Sequence, residues 1–322
     1  MSLLVSILVP VFNRETIIAE TLRAALCQTY AFVEVVVVDN ASTDNTWEII
    51  QEFARNDVRI KAFRNKSNLG PVRNWLRCIE EATGEYGKIL WSDDLISPEF
   101  LEECMALMDE NTGFVYSGVK IFTDSPSDGR AVYSIGQTGH YPSLKYLRLA
   151  LLDRDVPVSP GCAIFRMSDI RNNLLLNIEN KVGSDFSMHA IGNDLLLFLL
   201  TANKYPLFGF VNKPLAFFRS HLGSITVSST DGKIPLHYAL VRAYYVERYC
   251  KDLMGEVVFS VWSLLRKYPD HRKYGFSSVQ DFFSSNISLN LRTVLIPVLK
   301  RGVRLPWRII RKIFRSLGFG RQ

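Results

Sequence analysis

Asp93 and Asp94 stand side by side, with Ser92, directly after the strand-like run Tyr86-Gly87-Lys88-Ile89-Leu90-Trp91. Two adjacent carboxylates at the end of a buried strand are costly to place. A metal ion, hydrogen bonds or loss of charge must hold them there. A strand end in an open α/β sheet is also where ligands bind. Hard oxygen ligands of this kind suit Mg2+ or Mn2+ bridging a diphosphate. The same pair ahead of Ser97-Pro98-Glu99 also reads as the start of a helix.

The elements upstream carry these residues. Residues 3–12 and 33–38 are uninterrupted apolar runs rich in Val, Ile and Leu, the second ending at Asp39-Asn40. Residues 59–64 and 88–91 read as two more strands. Between them, Glu15 to Gln28 repeats apolar residues at helical spacing, Ser42-Thr43-Asp44 offers capping chemistry for a helix with Trp47, Ile50 and Phe53, and Pro71 suits the first turn of another. Strands apolar on both faces, alternating with amphipathic helices, predict a doubly wound, mostly parallel α/β sheet. No GxGxxG follows the first strand and no GxxxxGK[ST] occurs, which argues against a dinucleotide enzyme or a P-loop NTPase.

The second half is less regular. One or two strands are expected over 113–122, a loop or hairpin over 123–140, a helix over 141–153 and a strand over 160–165. A helix follows from Asp194, a strand over 215–218 and a long helical pattern over 236–267. Five scattered cysteines without metal spacing read as reduced thiols, most of them small buried hydrophobes. The strand-like start at Leu3, with no basic run or cleavage site, reads as no signal peptide.

Five blocks occur in order. They are Ser6-Ile7-Leu8-Val9-Pro10-Val11-Phe12-Asn13-Arg14-Glu15, Val37-Val38-Asp39-Asn40-Ala41-Ser42-Thr43-Asp44, and Asn68-Leu69-Gly70-Pro71-Val72-Arg73-Asn74. Gly84-Glu85-Tyr86 then runs on to Ser92-Asp93-Asp94, and Gly192-Asn193-Asp194-Leu195 precedes Leu215-Ala216-Phe217-Phe218-Arg219-Ser220-His221. Together they resemble the family 2 inverting glycosyltransferases of the GT-A fold over residues 3–225. The resemblance implies that Pro10, Val11, Phe12 and Glu15 line the nucleoside pocket and that Asp39 accepts from the base, uracil in many relatives. It implies Arg73 beside the base and diphosphate, Asp93 facing the ribose or sugar, Asp94 as metal ligand, Asp194 as catalytic base and His221 as a further metal or diphosphate contact. It also implies Mn2+ or Mg2+ as cofactor. Each residue also has a plainer reading: an Asx turn for Asp39, a solvated charge for Arg73, a loop histidine for His221 and an N-cap for Asp194. Four positions depart from the family: Trp91 for the first Asp of Asp-x-Asp-Asp, Asn40-Ala41 for Asp-Gly, and Asn193 for Glu.

The chemistry is coherent in its own terms. A divalent ion neutralises the leaving diphosphate, and one carboxylate opposite it takes the acceptor's proton. Asp194 ahead of Leu195-Leu196-Leu197-Phe198 sits beside apolar surface, which predicts a more basic carboxylate.

Residues 291–322 hold nine basic residues and no acid, so the net charge of +6 leaves residues 1–290 at −3. Ile310, Ile313, Phe314 and Leu317 share a helical face flanked by Arg308, Arg311, Lys312 and Arg315. That pattern fits an interfacial helix on anionic lipid, against the alternatives of a basic helix packed on the protein body or a nucleic-acid tail. No run of eighteen apolar residues exists to span a bilayer. The expected organisation is a GT-A domain over 1–225 (nucleotide-binding half 1–100, acceptor half 101–225), a helical extension over 226–290 and the basic tail. The expected activity moves a sugar from a nucleotide diphosphate, UDP above all, to a lipid-linked glycan. Its setting is bacterial surface polysaccharide synthesis on the cytoplasmic face of the membrane. A non-catalytic binding protein with the same fold, or transfer to a polyprenyl phosphate, are the alternatives.

Truncation after residue 290 should leave a folded chain with reduced binding to anionic vesicles. Binding by the full chain should weaken with salt, as the Debye length falls from about 10 Å at 0.1 M to about 3 Å at 1 M, and leave a salt-resistant apolar remainder. Sedimentation with anionic and neutral vesicles checks this; equal, negligible binding by both chains removes the membrane role.

Overall fold

The computed structural model describes residues 3–221 and 231–287. The basic tail expected over 291–322 lies outside the described residues. Strands β1 (Val5–Val11) and β2 (Val33–Asp39) are buried at every position, Ser6 and Glu34 included, as mostly apolar runs require of strands covered on both faces. They pair in parallel, Val9 opposite Val37. Strand β3 (Ile60–Arg64) flanks β2, and β4 (Tyr86–Ile89) flanks β1, both parallel. Helices α1 (Ile18–Leu26), α2 (Thr46–Asn56) and α3 (Pro71–Glu81) make the crossovers. Pro71 opens α3 after Gly70, whose φ of 83° suits glycine.

After β4 the chain adds β5 (Leu95–Ile96), α4 (Phe100–Met105), β6 (Thr112–Phe122), β7 (Arg130–Val132), β8 (Gly139–Pro142) and α5 (Ser143–Leu151). It continues with β9 (Ala163–Arg166), α6 (Met167–Asn173), α7 (Phe186–His189), α8 (Asn193–Lys204) and β10 (Leu207–Arg219). One sheet runs β3-β2-β1-β4-β9-β6-β10-β5, with β7 on β6 and β8 on β10. Strand β9 is antiparallel to both neighbours, so it joins the parallel β3-β2-β1-β4 part of the sheet to the rest. Phe114 centres the second core, with ring centroids 4.9 Å from Phe198 and 5.0 Å from Tyr146.

Some elements differ from expectation. Strand β4 begins at Tyr86 and ends at Ile89, so Leu90 to Asp94 leave the sheet in a turn closed by Asp94 N–H on Trp91 O at 3.0 Å. The expected strand at 215–218 is the end of a 13-residue strand whose register slips around Pro214, which has no N–H to offer the ladder. The long pattern over 236–267 is two helices, α9 (Lys233–Tyr249) and α10 (Met254–Lys267), broken where Cys250 turns to φ −146°, ψ 59°.

The chain forms two compact units, Met1–Asn177 with Asp185–Ser228, and Ile178–Ser184 with Ser229–Gln322. The second is held by α9 against α10 and by Phe276 stacked on Phe282 at 4.2 Å. Within it Arg248 pairs with Glu179 at 3.3 Å.

A buried carboxylate ties the first unit's strands at the end away from Asp93. Glu34 on β2 accepts from Ser6 Oγ at 2.5 Å, Thr83 N at 2.6 Å and Gly84 N at 3.1 Å, and pairs with Lys61 at 2.5 Å. A Cβ on Gly84 would lie 2.6 Å from Ser6 Oγ and 2.7 Å from Leu4 O, so only glycine fits there. Burial alone would raise the Glu34 carboxyl, but Lys61, Ser6 and Thr83 together outweigh it and bring the group down to about 2. Its folded value is thus depressed, and the stability it supplies is present above about pH 4.5 and lost as the pH falls towards 2. Glu34→Gln should cost about 2 kcal/mol at neutral pH, allowing for the half-exposed Lys61 partner. Urea unfolding at pH 7 and at pH 3 measures this, and the gap between variant and wild type should narrow at the lower pH.

Candidate active site

The two aspartates face opposite ways. Asp94 is 5% exposed, and its Oδ1 accepts the Arg219 backbone N–H at 2.9 Å. Burial first, then the neighbouring Asp93, pushes its carboxyl well above the usual range, against the Arg219 N–H and the charges of Lys88 and Arg219. Thr21 Oγ1 on α1 bonds the carbonyls of Ser92 (3.2 Å) and Asp94 (3.1 Å), fixing the turn from below. Lys88, wholly buried on β4, donates to Ile89 O at 2.8 Å and to Gly161 O; burial brings it down to about 8. Asp93 points outward. Its Oδ2 lies 3.0 Å from His221 Nε2 and 3.7 Å from the Arg14 guanidinium. Arg219 closes the group, donating from Nε to Asp93 O at 3.1 Å and pairing with Glu20.

The expected nucleoside side lies at the C-terminal ends of β1 and β2. Pro10 and Val11 are buried as the last residues of β1, while Phe12 is 38% exposed. Asn13, at φ 50°, accepts Thr43 N at 2.9 Å, and Glu15 accepts Asn45 N at 3.0 Å, which binds the two loops together. Asp39 is fully buried and makes the Asx-type bond to Ser42 N, but it also pairs with Arg64 at 3.0 Å. Asn40 bridges to Asn65, Asn68 and the backbone of Leu69 and Gly70.

Arg73 leaves α3 to donate to Ser187 Oγ at 2.8 Å, and Ser187 in turn donates to Asp185 at 2.6 Å. Asp194 is not the N-cap of α8; Gly192 is, at φ 105°. Asp194 Oδ1 accepts Gly192 N at 3.0 Å and Leu195 N at 2.8 Å, so the backbone fixes the carboxylate. Trp91, in place of an aspartate, packs at a tilt of 48° against Trp75, with ring centroids 4.7 Å apart, and donates from Nε1 to Ser159 Oγ at 2.9 Å. A Cβ on Gly161 would sit 3.0 Å from both Trp91 and Phe218, so this glycine makes room for the indole.

The profile of glycosyl transferase family 2 matches residues 6–174, half of the chain. The chain belongs to that family. It is 34% identical over 121 residues to an uncharacterized glycosyltransferase of Haemophilus influenzae, covering 38% of this chain and 48% of the relative. It is 30% identical over 119 residues to TuaG of Bacillus subtilis, whose name assigns it to teichuronic acid biosynthesis, with 37% and 47% covered. This chain spans about half the length of the curated relatives it matches. In three dimensions it is similar to S. aureus TarS 1-349 in complex with UDP-GlcNAc, at TM-score 0.65 and 20% identity over 84% of this chain and 76% of that one. That likeness shows the GT-A fold.

For a family 2 member, the structure brings Asp93, Asp94 and His221 together and adds Arg14, Arg219 and Lys88, which sequence reading did not single out. Arg219 was visible only as a neighbour of His221 in a conspicuous run. Arg64 was signalled by register: β3 sets it level with Asp39 on β2. Lys88 gave no signal, since a lysine in a strand ordinarily points to solvent.

Proposed function

We propose that this chain transfers a sugar, with inversion, from a UDP-sugar to a lipid-linked glycan in the synthesis of a bacterial surface polysaccharide. The observation that carries the reading is the Asp93–His221 pair, 3.0 Å apart beside Arg14 at the end of the sheet. The UDP-GlcNAc complex of a protein of the same fold and the teichuronic acid relative support the donor class and the setting. Pro10, Val11, Phe12, Glu15 and Asp39 form the nucleoside side of this reading, with Arg73 towards the diphosphate.

Asp93 and His221 supply one hard oxygen and one imidazole nitrogen, a set that fits Mn2+ or Mg2+. Among the described residues no three His, Cys, Asp or Glu side chains stand close enough to complete a cage, as expected where phosphate oxygens and water fill the other positions. The metal role is therefore proposed for Asp93 with His221. Asp94, expected as the ligand, is the bracing carboxylate, because its Oδ1 is turned into the fold on Arg219 N. The ion, when bound, stabilises the developing charge of the leaving diphosphate. Arg14 holds the outward carboxylate. Asp194, oriented by Gly192 and Leu195, takes the proton from the acceptor hydroxyl as its oxygen attacks the anomeric carbon.

Asp93→Asn should abolish Mn2+-dependent binding of UDP, and His221→Ala should weaken it at least tenfold, while Asp94→Asn chiefly lowers the melting temperature. Calorimetric titration of UDP with and without EDTA checks the order; full Mn2+-dependent binding by Asp93→Asn would overturn the metal reading.

Asp194→Asn should bind UDP as wild type does and lose transfer by about 10²–10⁴-fold, the contribution of a general base. Lost UDP affinity with transfer per bound donor unchanged would assign Asp194 a structural role.

A further inference from the structure

Tyr133 follows β7 with a left-handed φ of 65°. Among the described residues four other non-glycine residues share this conformation: Asn13, Ala41, Asp153 and Ala190. Of the five, Tyr133 is the one bulky aromatic. Small polar residues adopt the left-handed region readily; a tyrosine does so only where its surroundings hold it, and such outliers gather at functional sites. Ala190 caps α7, and Asn13 ties two loops. No hydrogen bond of the Tyr133 side chain occurs among the described residues.

Its position is specific. Strand β7 sets Val132 opposite Val119 on β6, so Tyr133 falls one step beyond, level with Gly118. Strand β6 also carries Tyr116, which pairs with Ala163 directly after the Pro160–Cys162 turn. Helix α8, which begins at Asn193-Asp194, packs on both β6 and that turn. The half-buried Tyr133 phenol is thereby within electrostatic reach of Cys162, Asp155 and Asp194. Burial, then these neighbours, pushes it up to about 12, so its O–H stays a donor at neutral pH.

We propose that Tyr133 is a positioning residue for the acceptor: its phenolic O–H donates to an oxygen of a polyhydroxylated acceptor and turns the attacking hydroxyl towards Asp194. This rests on the glycosyltransfer reading of Asp194. The backbone strain fixes where the ring leaves the chain, within electrostatic reach of Asp194, and the lack of an internal partner leaves the hydroxyl for the ligand. A ring kept only for packing has no use for the hydroxyl.

Tyr133→Phe separates the two, because ring, burial and backbone remain and only the donor is lost. Transfer from UDP-GlcNAc and UDP-glucose with Mn2+ to p-nitrophenyl glycosides would be followed against acceptor concentration. Donor hydrolysis without acceptor and the melting temperature would be measured alongside. The expected result is an acceptor KM raised about two- to tenfold, as for one neutral hydrogen bond, with hydrolysis and melting temperature unchanged. Tyr133→Asn, which tolerates the left-handed backbone, should raise the acceptor KM at least as much. An unchanged acceptor KM in Tyr133→Phe, with wild-type transfer intact, overturns this proposal alone. A wild-type chain that turns over neither nucleotide sugar overturns the glycosyltransfer reading and this proposal with it.

Discussion

Asp94 is a carboxylate buried at the end of a strand, and the arrangement of the site follows from satisfying it. An unpaired buried carboxylate costs several kcal/mol, so the fold must supply donors and counter-charge. Strand β10 supplies the Arg219 N–H, and β4 supplies the Lys88 charge from beneath. Helix α1 pins the turn's carbonyls through Thr21, and Lys88 also holds the Gly161 carbonyl of the turn before β9. Two segments thus act on the carboxylate itself, and two more fix the turn that carries it and the lysine beneath it. With Asp94 turned inward, the tight turn directs Asp93 the other way, to His221 and Arg14.

Just past the end of β2, around Asn40, the fold uses neutral groups beside the charged Asp39–Arg64 pair. Asn40 donates to Asn68 and Gly70 O while accepting from Asn65 and the Leu69 N–H. An aspartate in its place, as the family commonly has, would keep the two acceptances and lose both donations. Asn74 extends the network, accepting from Asn65 and donating to Val38 O on β2. The departure at position 40 is therefore matched by asparagines on the loop before α3, and it sets the path of that loop around Gly70. A buried network of this kind is rigid only when nearly every member is paired, and here Asn65 Oδ1 is the member left without a partner.

The parallel half was legible because burial on both faces writes a continuous apolar run, and β1 and β2 match theirs within two residues. The two carboxylates were legible as a pair, but not which of them faces inward. Which of two adjacent side chains faces inward depends on the turn closed by Asp94 N–H on Trp91 O, and no periodicity records a turn that tight. The break at Cys250 was hidden because the residues on either side keep helical spacing; the interruption is one of backbone conformation, with Gly255 and Asp252 the only compositional hint. Residues 178–184 group with the C-terminal unit through contacts far apart in sequence, which local pattern cannot show.

Trp91 is the departure that electrostatics explains best. An aspartate there would add a third carboxylate beside Asp93 and Asp94, against the same Arg14, Arg219 and Lys88. Asp94 is already pushed upward by burial and then by its neighbour, and another anion would push it further, towards a protonated form that no longer attracts Lys88 or binds the Arg219 N–H as strongly. The indole removes that charge and replaces it with packing on Trp75 and a hydrogen bond to Ser159. Gly161 is the matching change: it opens the space the indole edge fills while its carbonyl holds Lys88. Position 91, Gly161 and Lys88 therefore form one solution, in which a smaller negative charge at the mouth of the site is balanced by a single buried cation below it.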